Sequence, residues 1–147
     1  MSFSMNVKKL NENATVPTYG SAYAAGADIY ACEETEITIA PNETKLIHTG
    51  IAMEIPEGLV GLIYARSGLA SKRGLAPANK VGVIDSDYRG EIMVALHNHG
   101  TAPQTVAMGE RIAQIVFAPY YAAQFTVVDE LSDTVRGTGG FGSTGTK

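Results

Sequence analysis

Apolar residues in this chain recur at every second position. Across residues 44–55 the odd positions Ile47, Thr49, Ile51, Met53 and Ile55 share one face, and His48 and Glu54 fall on the other. Glu36-Ile37-Thr38-Ile39 alternates in the same way. Further apolar or alternating runs occupy residues 59–64, 81–84, 92–96, 111–117 and 125–128. Strand side chains point to opposite faces in turn, so each run predicts a strand with a buried face. Turn signals separate the runs: Pro41-Asn42, Pro56-Glu57-Gly58, Arg89-Gly90, Asn98-His99-Gly100 and Met108-Gly109. Only residues 67–72, closed by Gly74, read as a short helix. Many short strands with almost no helical period predict an all-β fold: a sandwich, jelly roll or barrel.

Composition narrows this to one domain. The chain has 147 residues, 45% hydrophobic and 18% charged, which excludes a disordered or fibrous protein. The net charge of −4 argues against a nucleic-acid or anionic-membrane partner, although a few arginines suffice for a small anionic ligand. No apolar run approaches the ~20 residues of a membrane span. Met1-Ser2-Phe3-Ser4-Met5-Asn6 lacks the basic-then-apolar order of an export signal, so a cytoplasmic protein is expected. The lone Cys32 forms neither an internal disulfide nor a thiolate zinc cage, and a buried, inert thiol is its default. His48, His97 and His99 lack metal-ligand spacing with acids and read as surface or packing residues.

Five segments carry candidate chemistry. Residues 136–147 run Arg-Gly-Thr-Gly-Gly-Phe-Gly-Ser-Thr-Gly-Thr-Lys, five of twelve being glycine, as a frayed terminus would. Arg136, a bidentate phosphate donor, and Phe141, a ring with no core to join, point instead to a flexible lid over a phosphorylated base. Ala65-Arg66-Ser67-Gly68-Leu69-Ala70 leaves a strand and opens the short helix, where an anion is favoured. Gly82-Val83-Ile84-Asp85-Ser86-Asp87-Tyr88-Arg89-Gly90 runs a buried strand into Asp85. That carboxylate either caps a hairpin turn or accepts a proton from water. Ala25-Gly26-Ala27-Asp28 places an acid in a strand-like run, and Gly109-Glu110-Arg111-Ile112-Ala113-Gln114 interrupts an apolar strand with Gln114.

Together, and in this order, the five segments resemble the motif set of the trimeric dUTPases. The third and fifth are long and specific, and the resemblance covers nearly the whole chain. One departure is Ala65, where the family commonly has proline; it removes no functional group.

The resemblance implies a jelly-roll-like β-barrel subunit of a homotrimer, with residues 1–135 as the β domain and 136–147 as a flexible glycine-rich lid. Three active sites at the subunit interfaces would each hydrolyse dUTP to dUMP and pyrophosphate, keeping uracil out of DNA and supplying dUMP for thymidylate synthesis. Asp85 would be the base that activates water and would lie beside the 3′-hydroxyl. Asn79, Val83, Ile84 and Met93 would line the uracil slot, and Tyr88 would pack under the deoxyribose and exclude a 2′-hydroxyl. Arg66, Ser67, Gly68 and Gln114 would hold phosphates. From the lid, Arg136, Gly142, Ser143 and Thr144 would close over the ligand while Phe141 stacks on uracil. Asp28 would help to hold, through water, a Mg²⁺ bound mainly by the triphosphate. Two other readings are a deoxycytidine triphosphate deaminase of the same fold and a non-catalytic, dUTP-sensing trimer. The first normally lacks the full lid with Phe141, and the chain has no Pro-Cys-x-x-Cys cage of the zinc deaminases. The second needs no intact Asp85, Arg66, Gln114 and tail.

Overall fold

The computed structural model describes residues 3–141. It is mostly β, with one helix of seven residues. The largest sheet has five strands in the order β2 (Thr18–Tyr19), β3 (Ala27–Tyr30), β12 (Arg111–Pro119), β7 (Leu59–Tyr64) and β9 (Gly82–Ile84). A second sheet joins β5 (Thr44–His48), β10 (Met93–Asn98) and β8 (Leu75–Pro77). Two pairs complete the set: β1 (Asn6–Lys9) with β6 (Ile51–Glu54), and β4 (Ile37–Ile39) with β11 (Gln104–Val106). Every pairing is antiparallel. The all-β expectation holds. A closed barrel does not form among the described residues, because the ladders remain four separate sheets.

The alternation in residues 44–55 is real, since Ile47, Thr49, Ile51, Met53 and Ile55 are all buried while His48 and Glu54 are exposed. It belongs to two strands, however. Gly50 sits at φ +66, a left-handed value that glycine adopts without a Cβ penalty, and the chain bends there. A Cβ on Gly50 would come within 2.8 Å of the Ala14 methyl and 3.0 Å of the Cys32 sulfur. The core gathers Ile29, Ile39, Ile47, Ile51, Leu75, Ile92, Leu96, Ile112 and Ile115, all fully buried. Each such side chain contributes about 1.5–3 kcal/mol of transfer free energy. Cys32 is buried as expected, and burial pushes its thiol pKa up, with the Glu91 and Glu33 charges adding to the shift.

The helix α1 (Ser67–Arg73) starts three residues after Tyr64 and stops at Gly74, whose φ of 67 is the left-handed C-cap. Two turns are too few to hold alone, so tertiary contacts must keep it. Leu69 packs into the core, and Arg73 bonds Gln104 at 3.0 Å, the Thr105 carbonyl and the Glu110 carboxylate. Among the described residues, no helix is long and apolar enough to cross a membrane.

Two expectations fail. Residues 125–128 form no strand: Phe125 and Val127 are almost fully exposed, because no backbone among the described residues is placed to pair with them. Nor is the third segment a hairpin. β9 pairs with β7 whereas β10 pairs with β5 and β8, so residues 85–92 cross from one sheet to another.

Candidate functional site

The structure gathers the candidate residues into two groups. The first is built on a row across three adjacent strands, where Asp28 pairs with Gln114 and Gln114 with Tyr64. Two residues beyond Tyr64, Arg66 folds back so that its Nε donates to Asp28 Oδ1 at 2.8 Å. Arg111 reaches Asp28 Oδ2 at 3.3 Å, from a point where the register of β12 shifts between Arg111 and Ala113. Such an irregularity re-aims a side chain. Gln114 Nε2 donates to the Ala65 carbonyl at 2.9 Å, so the residue that departs from the family's proline still anchors this corner. Gly26 faces Gln114, and a Cβ there would collide with its amide.

This arrangement is a cation-rich corner organised by one half-buried acid. Arg66 uses one N–H on Asp28 and one on the Arg111 carbonyl at 3.5 Å, leaving three of its five donors for an anion. Ser67 and Gly68 follow at the exposed start of α1. Asp28 fits a metal only at one remove. Each of its oxygens already accepts an arginine N–H, and the lone pairs that remain suit a metal-bound water. Among the described residues, no cluster of three or more His, Cys, Asp or Glu could cage an ion.

The second group surrounds β9. Asn79, Val83, Ile84 and Met93 line one cavity of about 180 Å³, together with Leu46, Ile63 and Ala95. That is smaller than the clefts holding whole drug-sized ligands, and it suits a single flat ring. Gly82 keeps the floor open, since a Cβ there would press on Ile63 at 3.1 Å and on the Asn79 amide at 3.3 Å. Asp85 follows the last residue of β9 and is exposed on an open groove of about 830 Å³ shared with Leu59, Val60 and Tyr120. The Tyr88 N–H donates to the Asp85 carbonyl at 3.2 Å, and the Tyr88 hydroxyl donates to the Glu91 carbonyl at 2.9 Å. Its ring lies over Gly90, where a Cβ would strike it. One turn therefore carries both the carboxylate and the ring, and holds the ring in place.

The two groups are far apart within one chain. Gly61 pairs with Ile84 and Ile63 with Gly82, so the antiparallel ladder carries Asp85 alongside Val60. Arg66 lies beyond the opposite end of β7, six residues on, which at ~3.3 Å per residue is roughly 20 Å away. The tail is separate again. Arg136 Nε donates to the Gly139 carbonyl at 2.7 Å, and Phe141 is fully exposed, against neither group. Gly142, Ser143 and Thr144 lie outside the described residues.

Sequence reasoning missed Arg111, Glu91 and His48. Arg111 stands inside the fourth segment, but its aim depends on the irregular register, which leaves no sequence signal. His48 Nδ1 lies 2.9 Å from Glu91 Oε2, a partnership across 43 residues. The bond to Glu91 raises the His48 pKa, burial opposes that rise, and the Glu91 and Glu33 charges add to it. For Glu91, burial alone would raise the pKa, yet His48 and the backbone N–H groups of Gly50 and Thr49 hold it below the ordinary value.

The chain matches the dUTPase family profile over residues 12–145. It is 54% identical to a deoxyuridine 5′-triphosphate nucleotidohydrolase of Desulfitobacterium hafniense, over 88% of this chain and 87% of that one. Among solved structures, a dUTPase of Staphylococcus bacteriophage 80alpha with dUpNHpp superposes with a TM-score of 0.89, at 30% identity, covering 98% of this chain and 99% of that one. A dUTPase from phage phi11 of S. aureus, described with a structural Mg(II) ion, gives a TM-score of 0.79 at 27% identity over 87% of this chain and 98% of that one. On the motif order, the fold and these likenesses, the chain belongs to the dUTPase family.

Proposed function

We infer that this chain hydrolyses dUTP to dUMP and pyrophosphate, by attack of water on the α-phosphorus. The observation that carries the reading is the ring-sized cavity of Asn79, Val83, Ile84 and Met93, from which the same strand leads directly into Asp85. Uracil enters the cavity, where main-chain groups read its polar edge. Asp85 takes a proton from water as the oxygen bonds to phosphorus, and the bond to pyrophosphate breaks. General-base help of this kind is worth about 10²–10⁴-fold. Tyr88, fixed over Gly90, packs under the deoxyribose.

Arg66, Ser67, Gly68 and Gln114 hold the phosphates. Charge grows on the leaving pyrophosphate, and preorganised arginines stabilise it in place. Asp28 would help to hold, through water, a Mg²⁺ bound mainly by the triphosphate, and that ion would supply further charge neutralisation.

The working unit is a homotrimer whose sites are shared. Two features support this. Asp85 and Arg66 stand at opposite ends of β7, so a phosphate chain placed at Asp85 needs an arginine corner from another copy. The arm after Pro119 also exposes Tyr121, Phe125, Val127, Leu131 and Val135, a series of apolar side chains that a second copy can cover. Residues 136–147 then act as the lid, bringing Arg136, Phe141, Gly142, Ser143 and Thr144 over the ligand, with Phe141 on uracil. The buried lone thiol of Cys32 agrees with a reducing, cytoplasmic setting.

One assay tests the reaction: purified protein with dUTP and, in parallel, with dCTP, followed by pyrophosphate and ammonia release and chromatography of the nucleotide. Stoichiometric dUMP and pyrophosphate are expected. Ammonia and dUTP formed from dCTP would establish the deaminase instead, and binding of dUTP without turnover would establish a sensor. Sedimentation at three times the chain mass is expected, and an active monomer would refute the shared site.

A further inference from the structure

Glu91 closes the crossover that begins at Asp85, and the reaction as described gives it no task. Its carboxylate is about three-quarters buried, with 23% of the side chain exposed. Oε1 accepts the Gly50 N–H at 2.8 Å, and Oε2 meets His48 Nδ1 at 2.9 Å. The partners are the last residue of β5 and the bend that follows it, where the left-handed Gly50 turns its N–H toward the crossover. The next residue repeats the attachment. Ile92 N–H donates to the Ile51 carbonyl at 2.9 Å, and the Ile92 carbonyl accepts the buried Thr49 hydroxyl.

The backbone of Glu91 faces the other way. Its carbonyl accepts the Tyr88 hydroxyl at 2.9 Å. One residue thus joins two separate systems: its side chain grips the β5–β6 bend and its main chain grips the aromatic ring of the Asp85 turn. Burying a carboxylate costs free energy unless its lone pairs are met, and here two N–H groups meet them in charge-assisted bonds, the strongest of their class. The entrance of the turn is held by the β7–β9 ladder and its exit by the bonds of Ile92, and the Glu91 attachment ties that exit directly to the Tyr88 ring.

We propose that Glu91 is a positioning residue for the Asp85–Tyr88 turn, anchored in turn by His48 and the Gly50 N–H. The proposal rests on the reading of Asp85 as base and Tyr88 as the residue under the sugar. His48 faces Glu91 from the crossover and Glu33 from the segment after β3, whose Oε1 accepts the His48 N–H at 2.6 Å; its cross-strand partner Met93 is uncharged. The anchor therefore stands at a junction of three segments rather than on the turn itself.

The test uses the full-length protein carrying Glu91→Ala, Glu91→Gln, His48→Ala or Asp85→Asn, each checked for oligomeric mass and melting temperature. Glu91→Ala is expected to lower kcat for dUTP about tenfold, the effect of losing charge-assisted bonds, with a smaller change in KM. It is also expected to narrow the preference for dUTP over UTP, because the Tyr88 ring loses its fixed post. Glu91→Gln, which keeps an acceptor for the Gly50 N–H, recovers most of kcat. His48→Ala, at a half-exposed position, leaves the fold intact and lowers kcat about threefold. If Glu91→Ala does not fold, the Gln and His48 variants decide. Unchanged kcat and sugar preference in folded Glu91→Ala, or in both of the other two, would overturn the proposal while a dead Asp85→Asn leaves the catalytic reading standing. Full turnover in Asp85→Asn would overturn both.

Discussion

Arg66 donates its Nε–H to Asp28 across 38 residues of sequence, at 2.8 Å, and this bond aims the guanidinium proposed to hold phosphate. The acid also receives Arg111 at 3.3 Å, so Asp28 organises two cations at one corner. The proposed water-mediated contact with Mg²⁺ is a second task for the same carboxylate. Asp28→Asn is therefore expected to raise KM for dUTP about tenfold by releasing Arg66, since charge-assisted bonds are the stronger class. Initial rates at several Mg²⁺ concentrations check it. A variant whose only defect is a weaker response to Mg²⁺ would assign Asp28 to the ion alone.

Asp85→Asn keeps the size and shape of the side chain and removes the proposed base. Turnover should fall by at least about two orders of magnitude, with the fold and dUTP binding nearly intact. Calorimetric titration with dUTP beside a pyrophosphate assay separates the two quantities. Near-normal turnover would remove Asp85 from the mechanism.

Tyr88 is held by its hydroxyl and by contact with Gly90, so its ring is a rigid wall. A pocket that merely disfavours a hydroxyl discriminates only about a hundredfold, and a fixed ring should do better. Tyr88→Ala is expected to weaken dUTP use moderately and to cut the ratio of kcat/KM for dUTP over UTP much more. An unchanged ratio would show that Tyr88 only packs the turn.

Deleting residues 136–147 removes none of the strands among the described residues, since the last of these ends at Pro119. The truncated protein should keep its sedimentation coefficient class and lose most of its activity. Full activity would refute the lid.

The His48–Glu91 pair gives stability a pH signature. A raised histidine pKa contributes stability that is complete below the ordinary value of 6.5 and lost as pH rises through the raised one. A lowered glutamate pKa contributes above its ordinary 4.5 and is lost as pH falls. The pair is at full strength between those values. The melting-temperature gap between the unaltered protein and His48→Gln should be widest there and close toward alkaline pH. A gap that stays constant into alkaline solution would show that His48 acts without its charge.

The period of two in residues 44–55 revealed which side chains are buried, because burial follows the pleat whether or not the strand continues. It could not reveal the bend at Gly50, which depends on Ala14 and Cys32 approaching from elsewhere. β8 and β11, three residues each, are too short to show a period. Residues 125–128 carry strand-forming side chains, yet a strand exists only where a partner backbone is offered. The cavity of Asn79, Val83, Ile84 and Met93 was legible through family resemblance, since it joins residues on three different pieces of chain. Arg111, Glu91 and His48 were not, because their parts depend on long-range register.

The separation of Asp85 from Arg66 along β7 has a consequence for inheritance as well as for chemistry. In the proposed trimer, no subunit owns a site. A copy damaged at Asp85 still lends a sound Arg66 to a neighbour, and a copy damaged at Arg66 still lends a sound Asp85. Two genes that each encode a dead enzyme can therefore, when expressed together, repair one another by mixing.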